Sequence, residues 1–201
     1  MSNREMIAGY AFVAALVLGT GISAGITYAD GTQTAAAWKP QWTGNGDLKL
    51  PENFHDWVFL GSPLTPNALN DGKAGFPEYH NVYVRPEALK AYRKTGEWPE
   101  GTILLKELQL TLEAENSDGS RQEASGRGYF PGKLNGIDIS VKDSKRFKST
   151  NGWGFFNFGH HAPPYAKTAK AQPAENCAGC HEANATEMVF SRFYSPVLNA
   201  R

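Results

Sequence analysis

Apolar and polar residues alternate with a period of two along residues 101–113. Leu104, Lys106, Leu108, Leu110 and Leu112 fall on one face, and Leu105, Glu107, Gln109, Thr111 and Glu113 on the other. That is the spacing of a half-buried β-strand, with the first set as its apolar face and one lysine inside it. Residues 136–141 repeat the period, with Ile137, Ile139 and Val141 set against Asp138 and Ser140. Residues 153–158 read as a strongly aromatic strand, and shorter strands are predicted at 56–61 and 80–84. Arg85-Pro86-Glu87 opens a helix, with proline at an early helical position and an acid in the first turn. It runs to about Lys94 and stops at Gly96, with Leu89 and Tyr92 as its buried edge.

Between these elements the chain is irregular. Residues 30–52 form an arm broken by Gly31, Pro40, Gly44, Gly46 and Pro51, with Trp38 and Trp42 available to pin it to the body or to a second subunit. Residues 62–77 and 116–127 are polar connections. Residues 160–174 are a long loop containing Pro163, Pro164 and Pro173. A short helix is expected around 177–181, and a terminal segment, 188–198, packs back on the body. The fold class that results is mainly β, an antiparallel β-sheet domain with one or two short helices. A four-helix bundle would need long stretches of 3.6-residue period, whereas residues 99–160 keep a period of two.

The chain has 201 residues, with 21 glycines, 12 prolines and a formal net charge of zero. This suits one turn-rich domain and gives no electrostatic ground for a nucleic-acid partner. Arg4 precedes an uncharged run, residues 6–29, that ends in Thr27-Tyr28-Ala29. Such a run reads as a signal peptide cleaved near Ala29, which leaves a domain over 30–201. An uncleaved anchor is the alternative, since the run is long enough to cross a bilayer.

The chemistry is concentrated in Cys177-Ala178-Gly179-Cys180-His181. C-x-x-C-H is the attachment signature of c-type haem. The two thiols add to the haem vinyl groups, and the histidine serves as proximal iron ligand. Cys177 and Cys180 are the only cysteines, so one haem c per chain accounts for both. Bacterial c-type haem is attached outside the cytoplasm, which agrees with export to the periplasm. The only methionine after the motif is Met188. In a helix it would lie on the same face as His181, so a five-coordinate or water-bound iron is expected. His55, His80, His160 and His161 remain as alternative distal ligands.

Lys106 reads in two ways on pattern alone. It snorkels its ammonium to water along an apolar stem, or it lies inward and is paired or used. Phe155, Phe156 and Phe158 are candidates for the wall of a haem pocket or for plain core. Tyr83 and Arg85 are candidates for polar groups over the haem.

The chain resembles the cytochrome P460 family, including its relative cytochrome c′-beta, over most of the mature length. The resemblance rests on Tyr79-His80-Asn81-Val82-Tyr83-Val84, on residues 92–102 from Tyr92-Arg93-Lys94 to Glu100-Gly101-Thr102, and on Lys106-Glu107. It continues in Gly152-Trp153-Gly154-Phe155-Phe156 and the haem motif. It implies a β-sheet homodimer with a periplasmic five-coordinate haem. By motif and spacing, Lys106 matches the lysine that is bonded covalently to the haem edge in cytochrome P460, which favours an inward Lys106. The resemblance implies an enzyme that oxidises hydroxylamine, with nitric oxide, to nitrous oxide and passes electrons to an acceptor such as a small cytochrome c. The alternative it implies is a nitric oxide-binding protein of the cytochrome c′-beta type without efficient turnover. One departure stands out. A proton-relay carboxylate is expected from the loop before the motif, yet residues 160–174 hold no aspartate or glutamate, and Glu175 is the first. On this view a glutamate placed at Thr168 or Ala169 restores the relay.

Overall fold

The structure is a computed structural model that describes residues 38–198. The expected signal segment, residues 1–29, and the first residues of the arm lie outside the described residues. Strand β1 is Leu48–Lys49, β2 is Val58–Gly61 and β3 is Tyr79–Val84. Helix α1, Pro86–Thr95, is followed by β4, Ile103–Thr111. Next come β5, Arg121–Glu123, β6, Gly126–Gly128, and the long β7, Pro131–Lys142. The chain closes with β8, Trp153–Asn157, β9, Thr168–Ala169, α2, Ala174–Asn184, and α3, Ser195–Leu198. The protein is mainly β and antiparallel, as the periodicity predicts.

The central sheet has the order β2-β3-β4-β7-β8, every pair antiparallel. α1 begins with Pro86 and ends where Gly96 takes φ 78, its N–H bonded to the Tyr92 carbonyl. That left-handed cap is open to glycine at no steric cost. Ala88, Leu89 and Tyr92 are the buried face of α1, and Trp98 stacks on Tyr92 with centroids 4.3 Å apart.

Three expectations need correction. The first concerns β4, which has no polar face over its first half. Ile103, Leu104, Leu105, Glu107 and Leu108 are all buried, while Leu110 and Leu112, assigned to the apolar face, are more than a third exposed. The reason is that the sheet carries a core on each side. One side packs Val82, Val84, Leu104, Trp153 and Phe155 against the helices and the terminal segment. The other packs Leu105, Ile137, Ile139, Val141 and Phe156 under the arm. The alternation of leucine and charge therefore marked two buried faces rather than one buried and one wet.

The second and third corrections concern loops. The stretch 116–127 contains part of a β5–β6 hairpin, and the loop 160–174 contains β9, which pairs with β1. The arm is thus tied to the body by a short ladder and by Leu48, which is fully buried. Gly154 makes room on that side, because a Cβ there would overlap the Phe147 ring.

Candidate haem site

Helix α2 starts after Pro173 and buries only Ala178 of its eleven residues. Ala178 docks in the core beside β8, with Cys177 packed at its edge. Residues three and four apart share a helix face, so Cys177, Cys180 and His181 project together. Both cysteines are free thiols rather than a disulfide. Burial pushes the half-buried Cys177 thiol above its ordinary value.

His181 is held from three sides. Its ring lies 4.6 Å from the Phe155 ring and 4.9 Å from that of Phe190, between centroids. Its Nδ1 lies 2.7 Å from the Met188 carbonyl oxygen. A carbonyl only accepts, so Nδ1 carries the proton and Nε2 keeps the lone pair. That is the tautomer and second-shell bond typical of an imidazole metal ligand. Met188 offers this carbonyl from a tight turn in which Glu187 and Met188 both have positive φ, 49 and 64. The Met188 side chain is buried, its sulfur 3.9 Å from the Asn151 amide nitrogen. Met188 therefore serves the proximal histidine through its backbone and the core through its side chain. Burial, and then the charge of Lys106, hold the His181 ring below its ordinary pKa, against the bond to Met188.

Lys106 reaches into the same region from β4. It pairs with Val82 on β3 and Asp138 on β7, on the sheet face that also bears Phe155. Its Nζ is 3.0 Å from Asp138 Oδ2 and lies 4.0 Å over the Phe76 ring. The Asn157 amide donates to Asp138 Oδ1 at 2.8 Å, and His160 Nε2 donates to the same carboxylate at 3.3 Å. Burial pushes the Asp138 carboxyl up. Lys106, His160 and Asn157 more than reverse this, and the net shift is downward. Lys106 is thus inward and paired, one-quarter exposed.

The other candidates divide cleanly. Phe155 stands against His181, but Phe156 points through the opposite face of the sheet, 5.7 Å from Trp42. Phe156 and Phe158 belong to the far core and are corrected as haem-wall residues, because alternate strand positions project to opposite faces. Tyr83 and Arg85 are on that far side too. Tyr83 packs on Phe54, His55 and Phe59, and Arg85 lies over Trp57 at 4.5 Å. His55 is mostly exposed and bonds the buried Glu107, and His161 is exposed at its loop. Ala169 is buried in the far core and Thr168 pairs with Lys49. A glutamate at either position would therefore not enter this pocket. The carboxylate beside Lys106 is Asp138. Its register opposite Lys106 was the signal available in the sequence, hidden by the reading of its face as wet. Phe76, in a loop, gave no signal.

These residues fit a covalent haem. Two adjacent thiols, an imidazole with its outward nitrogen free and an aromatic backing converge beside a helix that is otherwise barely packed. The Cytochrome P460 family model matches residues 51–191. The chain belongs to the cytochrome P460 family. Membership implies a haem cofactor and agrees with a haem oxidoreductase. No curated protein matches the chain.

Proposed function

We propose that this cytochrome P460 family member is an exported enzyme that oxidises hydroxylamine, with nitric oxide, to nitrous oxide at one covalently attached haem c. Cys177 and Cys180 would hold the macrocycle, and His181 Nε2 would be the iron ligand. A haem held there would supply redox-active iron. Electrons leave to a periplasmic acceptor such as a small cytochrome c, and two chains associate as a homodimer. The leader, residues 1–29, supports the periplasmic address.

The observation that carries the enzyme reading is Lys106, an amine drawn inward on the haem-side face of the sheet and held 3.0 Å from Asp138. Asp138 positions the amine and, held low by the same cation, favours the ammonium, so the proton would leave to solvent before the amine reacts. With a haem bound, the neutral amine would be a nucleophile toward the macrocycle edge. One N–C bond would form, one N–H and one C–H hydrogen would leave as protons, and an oxidant such as a peroxide would take the two electrons. The second reading, a nitric oxide-binding protein of the cytochrome c′-beta type, is favoured by the same pair left intact, because a salt-bridged ammonium does not attack.

Peptide mapping of the purified protein decides between them. A Lys106 peptide carrying the haem, together with a strongly red-shifted reduced Soret band and hydroxylamine turnover, is expected. An unmodified Lys106 peptide with an ordinary c-type spectrum establishes the nitric oxide-binding reading.

A further inference from the structure

His80 lies on the haem-side face of β3, two residues from Val82, which pairs with Lys106. Its Nε2 is buried and has no hydrogen-bond partner. Such an atom loses its hydration without return, and native structures contain few of them. The Phe76 backbone acts on the ring as an acceptor does, favouring its protonated form. A neutral ring that keeps its proton on the Nδ1 side leaves the lone pair on the unpartnered Nε2. The Phe76 ring stands edge-on to His80 at 5.6 Å and lies 4.0 Å beneath Lys106 Nζ. The lone pair therefore belongs to the same pocket as Lys106 and Asp138.

We propose that His80 Nε2 accepts the proton that leaves hydroxylamine held at the haem, and that the state of Lys106 decides how well it does so. The proposal rests on the function given above. Hydroxylamine and nitric oxide yield nitrous oxide and water with one proton and one electron left over. The proton passes to Nε2 and then to water, and the electron passes to the cytochrome acceptor. This assigns to a histidine on β3 the task for which the loop 160–174 offers no carboxylate.

The groups that face His80 explain the role of Lys106. Burial, followed by the Lys106 ammonium, lowers the ring to about 4, against the bond to Phe76 and the carboxylates of Glu78 and Asp138. His160 also meets the Phe76 ring edge-on, ring centroids 6.0 Å apart. So weak a base holds few protons at neutral pH, whereas a general base works best with a pKa near the operating pH. A lysine nitrogen bonded to an aromatic macrocycle is no longer an ammonium. Loss of that charge removes the second of the two causes that lower His80, after burial, so the bond that fastens β4 to the haem makes His80 a stronger base.

Carbon monoxide bound to the reduced holoprotein is the probe. Its stretching frequency, followed against pH, is expected to show a one-proton step between about 4 and the ordinary histidine value of 6.5 in the natural protein. The step should vanish in His80→Gln and in His80→Asn. Hydroxylamine oxidation by His80→Gln should fall by about 10²-fold, the lower end of general-base effects, with haem content unchanged. A frequency flat with pH in the natural protein, or a step that survives both substitutions, overturns the proposal. Should the natural protein oxidise no hydroxylamine, the proposed function fails, while the carbon monoxide step still decides whether Nε2 faces the bound ligand.

Discussion

Lys106 and Glu107 are neighbours in one strand, yet they serve opposite sides of the sheet. On the haem side, Lys106 meets Asp138 with both side chains about one-quarter exposed. On the far side, Glu107 is almost fully buried and is bonded by His55 Nε2 at 3.2 Å. The haem side keeps polar groups poised and a helix held by one alanine. The far side is dry, with Trp42, Phe147 and Phe156 in mutual ring contact. One face is built for chemistry and the other for holding the register that aims it.

The largest effects should come from the haem side. Lys106→Arg is expected to keep both thioethers, return an ordinary c-type reduced spectrum and abolish most hydroxylamine oxidation, measured by optical spectra and nitrous oxide yield. His181→Ala should keep covalent haem but change its spin state, seen by electron paramagnetic resonance. An unchanged spin state would place the axial ligand elsewhere.

The far face should answer with stability alone. Phe156→Ala is expected to cost about 3–5 kcal/mol in chemical unfolding with the haem spectrum unchanged. A shifted spectrum would mean that the two faces are not separable. His55→Ala leaves Glu107 buried without its partner and should cost about 1–3 kcal/mol, again without a spectral change.

The smallest effect separates two depressed carboxylates. Asp138 sits in the sheet, whereas Asp118 sits on the surface next to the β5–β6 hairpin, its pKa brought down to about 2 by Ser120 and Arg127. A carboxylate lowered in the folded state stabilises it above the ordinary carboxylate pKa, and that contribution fades as pH falls through the lowered value. In the Lys106→Arg background, where the cation is retained, Asp138→Asn should therefore flatten the acid side of the stability profile. Asp118 is exposed, so solvent screening should leave Asp118→Asn with a much smaller change in the same profile, together with faster amide exchange at Ser120. A global loss from Asp118→Asn would overturn the view that the hairpin stands apart from both faces.

Much of this was legible in the chain. The period of two in residues 101–113 and 136–141 located β4 and the centre of β7, and the cap signals placed α1 within a residue or two of its ends. The motif at 177–181 announced the haem because its chemistry is local. Which face each residue uses was not legible, because a strand buried on both sides alternates without telling the observer which set is wet. That one ambiguity put Phe156 with the haem and hid Asp138, while the family resemblance directed the search for a base to the loop 160–174. His80 was visible as a residue, but its orphaned nitrogen follows from Phe76, four residues away, and from the burial of the strand.

The opposed side chains of residues 106 and 107 also bear on how this sequence can drift. Replacing a side chain on β4 alters one face and leaves the other as it was. Adding or removing a single residue before position 106 exchanges the faces and would present glutamate where the amine belongs. Over this segment, relatives should therefore differ freely in residue type while preserving length, and gaps in their alignment should collect beyond position 108, where the pairing with β7 is already irregular.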